Sequence, residues 1–180
     1  MRYKHLVLLC CLLLQFLSLP AQDLFHDAKI REFEILTPLP GKKPVINGPK
    51  VYGARPGKQF VYRIPCQGER PVSFRVEDVP GGLAVSDDGI ITGITPEKRG
   101  KYRMVFTAEN NHGTATRDFT LIVGDKLALT PPTGWNSWGG HMINVGEDLV
   151  RFAADLMVES GLADVGFQYI NLDDCWMKMD

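Results

Sequence analysis

The chain has 180 residues, of which 44% are hydrophobic and 23% are charged. This composition is typical of a globular protein with room for one sizeable core or two small ones. The 20 basic and 21 acidic residues nearly cancel, and the basic residues form no cluster. A surface that follows nucleic-acid phosphates needs such a cluster, so the sequence argues against a nucleic-acid partner.

Residues 1–21 have the layout of a secretory signal peptide. Arg2 and Lys4 precede an apolar run over residues 6–14, and Ala21 is a small residue suited to cleavage. The run is shorter than the roughly 18 to 20 apolar residues that span a bilayer. We therefore expect a secreted or periplasmic protein with no integral membrane segment after cleavage of the signal peptide.

Two cysteines, Cys66 and Cys175, lie outside this peptide. They fall in separate predicted domains, so we do not expect them to pair. Two cysteines make no disulfide framework, and a zinc site would require four clustered ligands. The sequence therefore predicts a core without cross-links and no metal site.

Residues 22–44 are predicted to be an extended linker, because the prolines in this stretch bias the preceding residues away from helix.

Over residues 45–124, short β-rich runs alternate with turn signals at the spacing of an all-β sandwich. The predicted strands are 59–64, 73–79, 90–94, 102–110 and 114–123. In the last two strands apolar residues alternate, which predicts one buried face. The Asn-Asn-His-Gly turn at 110–113 is predicted to join them as a hairpin.

Several short stretches of this region resemble a known domain. They are GGLAV at 81–85, DGIITGITP at 88–96, GKY at 100–102 and AENNHG at 108–113. They are similar to the immunoglobulin-like domain of secreted bacterial proteins, which is related in pattern to cadherin-like repeats. Residues 46–57 resemble the short segment that accompanies this domain in bacterial glycosidases. The resemblance implies that residues 45–124 form an immunoglobulin-like β-sandwich, which we interpret as a spacer.

Two alternative roles concern binding by this region itself. The acidic pairs at 77–78 and 87–88 offer carboxylates to calcium, although such pairs at turns more often form the turn and stay solvated. A carbohydrate-binding face would require exposed aromatic side chains. The aromatic residues mostly occupy alternating strand positions and are expected in the core; they are Tyr62, Phe74, Tyr102, Phe106 and Phe119.

After the β-rich region the pattern changes. Residues 127–133 lead into the motif GWNSW at 134–138, which predicts a strand followed by a functional loop. Apolar residues then recur at helical spacing and Gly161 follows the last of them, so an amphipathic helix is predicted over about 147–160. A second strand is predicted at 167–172. Together these elements make a βαβ unit with parallel strands.

Candidate binding residues follow the two predicted strands. In βαβ folds the chemistry gathers at the carboxyl ends of the strands, where Trp138, Asp173 and Asp174 fall. Adjacent residues on a strand point to opposite faces, so the two aspartates are poorly arranged as the facing carboxylate pair of a glycosidase. From the residues alone, they suit hydrogen bonds to sugar hydroxyls or, equally, a cap for the next helix.

Two long motifs resemble an enzyme family. They are TPPTGWNSW at 130–138 and SGLADVGFQYINLDDCW at 160–176. They are similar to the start of the α-galactosidase (melibiase) family of retaining glycosidases, which fold as a (β/α)8 barrel. The resemblance implies that residues 127–180 are the truncated start of a glycoside hydrolase catalytic domain. The expected fold is therefore multidomain, with an all-β immunoglobulin-like sandwich followed by the first βαβ unit of a TIM barrel.

The resemblance also implies roles for four residues. By position, Asp173 and Asp174 match the pair that hydrogen-bonds the outer hydroxyls of the terminal galactose, and Trp138 matches the aromatic wall. Cys175 matches a cysteine that in many relatives bonds to another shortly after the tryptophan motif. Residues 139–143 contain no cysteine, so a disulfide and a free thiol both remain open for Cys175.

For the complete enzyme, the resemblance implies hydrolysis of terminal α-galactosides from oligo- or polysaccharides with retention and without a cofactor. Its nucleophile and acid/base would be aspartates beyond Asp180, so the 180 residues are expected to be an inactive N-terminal fragment with no catalytic residue. Relatives with similar openings cleave α-N-acetylgalactosaminides or β-L-arabinopyranosides, and these specificities stay open. So does a rival class, a non-catalytic exported adhesion or carbohydrate-binding protein built on the β-rich region.

Overall fold

A computed structural model describes residues 40–177. The predicted signal peptide, and the predicted linker up to residue 39, lie outside the described residues. From Pro40 onward the chain forms one compact unit, built mainly of strands. None of the helices in the described part is long and apolar enough to cross a membrane.

Nine strands of the described chain precede residue 124. They are β1 Val45–Ile46, β2 Val51–Ala54, β3 Gln59–Arg63, β4 Cys66–Gln67, β5 Ser73–Glu77, β6 Leu83–Val85, β7 Ile90–Ile94, β8 Gly100–Asn110 and β9 Gly113–Val123. One sheet has four strands in the order β2-β9-β8-β5, another has three in the order β3-β7-β6, and β1 pairs with β4. All pairs are antiparallel except β2 with β9, which is parallel.

The two larger sheets share one hydrophobic core. Along β8 and β9 every second side chain points into it, and Met104, Phe106, Ala108, Phe119, Leu121 and Val123 are all nearly inaccessible. The ring of Tyr62, from the facing sheet, lies with its centroid 5.0 Å from that of Phe119. Each such buried aromatic ring contributes about 1.5–3 kcal/mol of transfer free energy. The predicted alternation and the hairpin are confirmed, since Asn110 pairs with Gly113 across the turn.

The C-terminal segment alternates strands and helices. Its elements are β10 Gly134–Asn136, α1 Trp138–His141, α2 Glu147–Glu159, a 3₁₀ helix Leu162–Val165 and β11 Tyr169–Asn171. Strands β10 and β11 pair in parallel, and α2 lies close to its predicted bounds. Its residues Ala153 and Met157 are buried, whereas Phe152, on the predicted apolar stripe, is 55% exposed.

The C-terminal segment packs against the β-rich region through residues that precede or begin β11. The Asp164 carboxylate, in the 3₁₀ helix, accepts hydrogen bonds from the guanidinium groups of Arg63 and Arg70. The hydroxyl of Tyr169, the first residue of β11, donates to the hydroxyl of Tyr52 at 3.0 Å. The β-rich region therefore lies against the amino end of β11, and the carboxyl end of that strand points away from these contacts.

Candidate functional site

The register of the parallel pair brings the two sequence motifs to one edge. Asn136, the last residue of β10, pairs with Asn171, the last residue of β11. Because the strands are parallel, their carboxyl ends lie side by side. Trp138 and Asp173 each follow their strand end by two residues, so the structure brings these two candidate site residues to the same edge.

The two aspartates lie in a turn and not on the strand, which corrects the expectation that they alternate across a sheet. Strand β11 ends at Asn171, and the two aspartate side chains beyond it each accept a hydrogen bond from the main-chain N–H of the following residue. The Asp174 N–H donates to Asp173 Oδ1 at 2.9 Å, and the Cys175 N–H donates to Asp174 Oδ1 at 2.7 Å. Such local side-chain acceptors compete with the ladder of a sheet. Asp173 and Asp174 are both exposed, so each carboxylate is open to a ligand.

The end of β10 is hydrogen-bonded to the turn that carries the aspartates. Ser137 is 0% exposed, and its Oγ accepts a hydrogen bond from the Asp173 N–H at 3.0 Å. The Ser137 N–H in turn donates to the Asn171 carbonyl at 3.1 Å. Asn136 Nδ2 donates to Asp173 Oδ2 at 3.0 Å, and Asn136 Oδ1 accepts from the Trp138 N–H at 2.9 Å. The GWNSW motif therefore holds the turn in place.

Chemically, this edge is suited to a neutral ligand with several hydroxyl groups. Ionised carboxylates are pure acceptors, and they form strong hydrogen bonds with O–H donors. Two indole rings lie nearby in sequence, Trp138 at 41% exposure and Trp176 at 60%, and such rings offer an apolar surface to the C–H face of a sugar. Sequence reasoning did not single out Trp176; its place directly after the DDC motif was the available signal.

Cys175 has a left-handed backbone, with φ of 65°, and its thiol is free and partly buried. A non-glycine residue in this region is uncommon and marks a locally constrained turn. Cys66 is also free but fully buried, and burial raises the pKa of its thiol. The two cysteines of the described chain therefore do not pair with each other.

The remaining candidate positions form no ligand cluster. Among residues 40–177, no three His, Cys, Asp or Glu side chains converge as a metal site would require; the acidic pairs at 77–78 and 87–88 lie within that range. A cavity of about 300 Å³ lies between the β-rich region and α2, with Tyr52, Met157 and Phe167 in its lining. It is largely apolar and lies away from the aspartate turn.

The comparisons with known proteins converge on one family. Residues 130–180 match the family model described as alpha galactosidase A. An α-galactosidase of Coffea arabica is 49% identical over 67 residues, which are 36% of this chain and 18% of the relative. Alpha-galactosidase A of Cellvibrio japonicus is 52% identical over 52 residues, or 29% of this chain and 13% of the relative.

Two solved structures from Bacteroides fragilis, both of candidate α-galactosidases, extend the likeness beyond the matched motifs. The first is 38% identical with a TM-score of 0.73, and covers 79% of this chain and 30% of that protein. The second is 43% identical with a TM-score of 0.72, and covers 76% of this chain and 29% of that protein. This chain thus spans less than a third of the length of these relatives. Residues 130–180 are therefore similar in sequence to the α-galactosidases, which are glycoside hydrolases.

Proposed function

We propose that this protein is an α-galactosidase that releases terminal α-D-galactose from oligo- or polysaccharides. The observation that carries the proposal is the common edge of Trp138 and Asp173, which lies inside the segment that matches the family. In the proposed complex, Asp173 and Asp174 accept hydrogen bonds from the outer hydroxyls of galactose. Trp138 packs against the apolar face of the ring.

The proposed reaction proceeds with retention of anomeric configuration in two displacements. A carboxylate attacks the anomeric carbon while a carboxylic acid protonates the departing oxygen, and water then releases the sugar from the covalent intermediate. Neither of these two carboxylates is assigned to a residue of this chain. Asp173 and Asp174 are adjacent in one turn, so they suit hydroxyl recognition better than a pair that flanks the scissile bond.

The proposal also includes the finer architecture. Residues 45–124 would be an immunoglobulin-like sandwich that serves as a spacer, and residues 127–180 would open a (β/α)8 barrel. Two sheets around one core and a parallel strand pair joined by a helix support these assignments. With the signal-peptide pattern at residues 1–21, the enzyme would act outside the cytoplasm, on galactosides in its surroundings.

The rival function, a carbohydrate-binding β-domain without catalysis, receives less support. Sugar platforms on β-domains rely on exposed aromatic rings. In the described β-rich region no aromatic side chain is exposed: Phe60, Tyr62, Phe74, Phe106 and Phe119 are buried, while Tyr52 and Tyr102 are partly buried. The aromatic surface of the described chain lies instead in the C-terminal segment.

The test is hydrolysis of a chromogenic α-galactoside by the longest product of the native gene. Wild-type turnover, and a loss of at least about a hundredfold in kcat/KM with Asp173→Ala, would support both the activity and the binding edge. The loss reflects removal of a charge-assisted hydrogen-bond acceptor that the bound sugar would cover. Asp155→Ala, which removes an exposed carboxylate on α2, is the matched control and should retain wild-type activity.

Substrate panels separate the related specificities. Preference for an α-N-acetylgalactosaminide or a β-L-arabinopyranoside would keep the fold and the binding edge but revise the sugar. Absence of turnover with all three substrates, from a folded product of the native gene, would refute the enzyme. Retention of sugar by the β-rich region would then favour the rival.

A further inference from the structure

We propose that Asn136 is a positioning residue whose side-chain amide sets the direction of the Asp173 carboxylate and fixes the first turn that carries Trp138. The inference rests on the proposed function, because it treats Asp173 and Trp138 as the residues that contact the sugar. It assigns a role to a residue that need not touch the substrate.

The geometry of the amide supports this role. Asn136 Nδ2 donates to Asp173 Oδ2 at 3.0 Å, while Oδ1 of the same amide accepts from the Trp138 N–H at 2.9 Å. One planar amide group thus donates one of these hydrogen bonds and accepts the other. The amide therefore links the two proposed contact residues, and it can satisfy both only in a narrow range of side-chain torsions.

Asn136 is itself well anchored. It is the last residue of β10 and pairs with Asn171 in the parallel ladder. The next residue, Ser137, is fully buried and hydrogen-bonds both to the Asn171 carbonyl and to the Asp173 N–H. The backbone on both sides of the Asn136–Asp173 contact is therefore fixed, and the side-chain amide determines where the carboxylate points.

The hydrogen bonds on Asp173 leave room for a ligand. Oδ1 accepts from the Asp174 N–H and Oδ2 accepts from Asn136. Each carboxylate oxygen has two acceptor sites, so each retains one for an incoming hydroxyl. A carboxylate held in this way pays little conformational entropy when it binds a sugar, whereas a freely rotating one must be ordered first.

The test compares Asn136→Ala and Asn136→Asp in the full-length protein, with Asp155→Ala as control. The alanine variant removes both hydrogen bonds. The aspartate variant keeps an acceptor for the Trp138 N–H, but replaces the donor to Asp173 with a second carboxylate. Both variants should raise KM for an α-galactoside about tenfold and change kcat less than about twofold, because contacts remote from the reacting bond act on binding. An Asn136→Asp variant with wild-type KM would overturn the role through Asp173.

A double-mutant cycle distinguishes positioning from a general structural effect. In an Asp173→Ala background, the further change Asn136→Ala should raise KM clearly less than tenfold, because only the part of the effect that acts through Trp138 remains. An undiminished tenfold effect in that background would show that Asn136 acts by another route. The melting temperature of Asn136→Ala should stay within about 3 °C of wild type, since Asn136 is exposed.

A crystal structure of Asn136→Ala gives a readout that does not depend on activity. The Asp173 side chain should occupy a different rotamer, or more than one, while Ser137 and the strand pair stay in place. An unchanged Asp173 rotamer would overturn the inference even if the protein is an active enzyme. Loss of all activity in the wild type would refute the proposed function, and this structural comparison would still decide whether Asn136 orients Asp173.

Discussion

Asp164 accepts a hydrogen bond from Arg63, with 2.7 Å between Oδ1 and Nη2, and Nη2 of Arg70 lies 3.0 Å from the same oxygen. The arginines belong to the β-rich region, and Asp164 belongs to the 3₁₀ helix that leads into β11. The Asp164 side chain is 25% exposed, so solvent screens this contact less than an ion pair on the open surface. The contact holds the C-terminal segment against the β-rich region just before the amino end of β11, whereas the aspartate turn follows the carboxyl end of that strand.

Asp164→Ala should lower the free energy of unfolding by about 1–3 kcal/mol, because two guanidinium groups lose a shared partner. The cost should stay below that of a fully buried pair, since Arg70 is 46% exposed. Urea unfolding of the full chain measures it. Arg151→Ala, which breaks the exposed pair with Glu147 on α2, is the control and should cost less than about 0.5 kcal/mol. Equal midpoints for Asp164→Ala and wild type would show that this contact does not stabilise the fold.

Tyr62→Phe should stabilise the protein at neutral pH by about 1 kcal/mol. The Tyr62 ring is 3% exposed, and its hydroxyl has no hydrogen-bond partner among the described residues. A buried, unpaired polar group costs about 1–3 kcal/mol, so removal of the oxygen relieves that cost. Tyr169→Phe makes the same chemical change where the hydroxyl donates to Tyr52, and should instead destabilise by about 1 kcal/mol. Thermal unfolding of both variants checks the two signs, and a lower stability of Tyr62→Phe would contradict the prediction.

The same two tyrosines predict a loss of stability in alkaline solution. Burial raises the pKa of Tyr62 above its ordinary value of 10.0, and burial followed by the hydrogen bond with Tyr52 raises the pKa of Tyr169. Above pH 10 the unfolded chain releases these protons while the folded chain retains them. The free energy of unfolding is therefore not reduced by these two groups below pH 10. It falls as the pH rises further, with a slope of up to about 1.4 kcal/mol per pH unit for each group.

Urea midpoints measured between pH 9 and pH 11 test this dependence. Lysines titrate in the same range, so the informative quantity is the difference between wild type and Tyr62→Phe. The variant should lose less stability per pH unit than wild type. Parallel curves for the two proteins would show that the Tyr62 hydroxyl ionises equally in the folded and unfolded states.

The features that could be predicted from sequence are those encoded by neighbouring residues. The β8–β9 hairpin follows from apolar alternation and the Asn-Asn-His-Gly turn, and the pattern that predicts α2 is also local. Parallel pairing of β10 with β11 follows from the helix between them. The predicted strand 167–172 ends one residue beyond β11, because the run FQYINL does not show where the ladder stops. The local hydrogen bonds of Asp173 and Asp174 lie just past that end.

The features that escaped prediction join residues far apart in the chain. Parallel pairing of β2 with β9 and the contact of Asp164 with Arg63 and Arg70 leave no periodicity in the sequence. The hydrogen bond from Asn136 to Asp173 also leaves no signal in the sequence, since it depends on the register of two strands. Motif resemblance pointed to the residues at this edge, whereas the hydrogen bonds that order the edge required coordinates.

Cys175 should react with Ellman's reagent in the native protein, whereas Cys66 should react only after unfolding. Cys175 is a partly buried free thiol beside Asp174, while Cys66 is completely buried and burial raises its pKa. Since the thiolate is the reactive form, both burial and a raised pKa slow Cys66. Among the described residues we therefore expect one fast thiol, and its signal should be absent from Cys175→Ser. A protein with no fast thiol would indicate that Cys175 is shielded or bonded to another cysteine.

The same thiol reports on the proposed binding edge. Cys175 directly follows Asp173 and Asp174, and its N–H is bonded to Asp174. A galactose molecule held by the two carboxylates would cover this turn, so saturating D-galactose should slow the reaction of Cys175 at least about threefold. D-glucose, which differs in the configuration of one hydroxyl, should protect less at the same concentration. Protection that survives Asp173→Ala undiminished would mean that the sugar binds elsewhere, because the carboxylate proposed to hold it would then be dispensable.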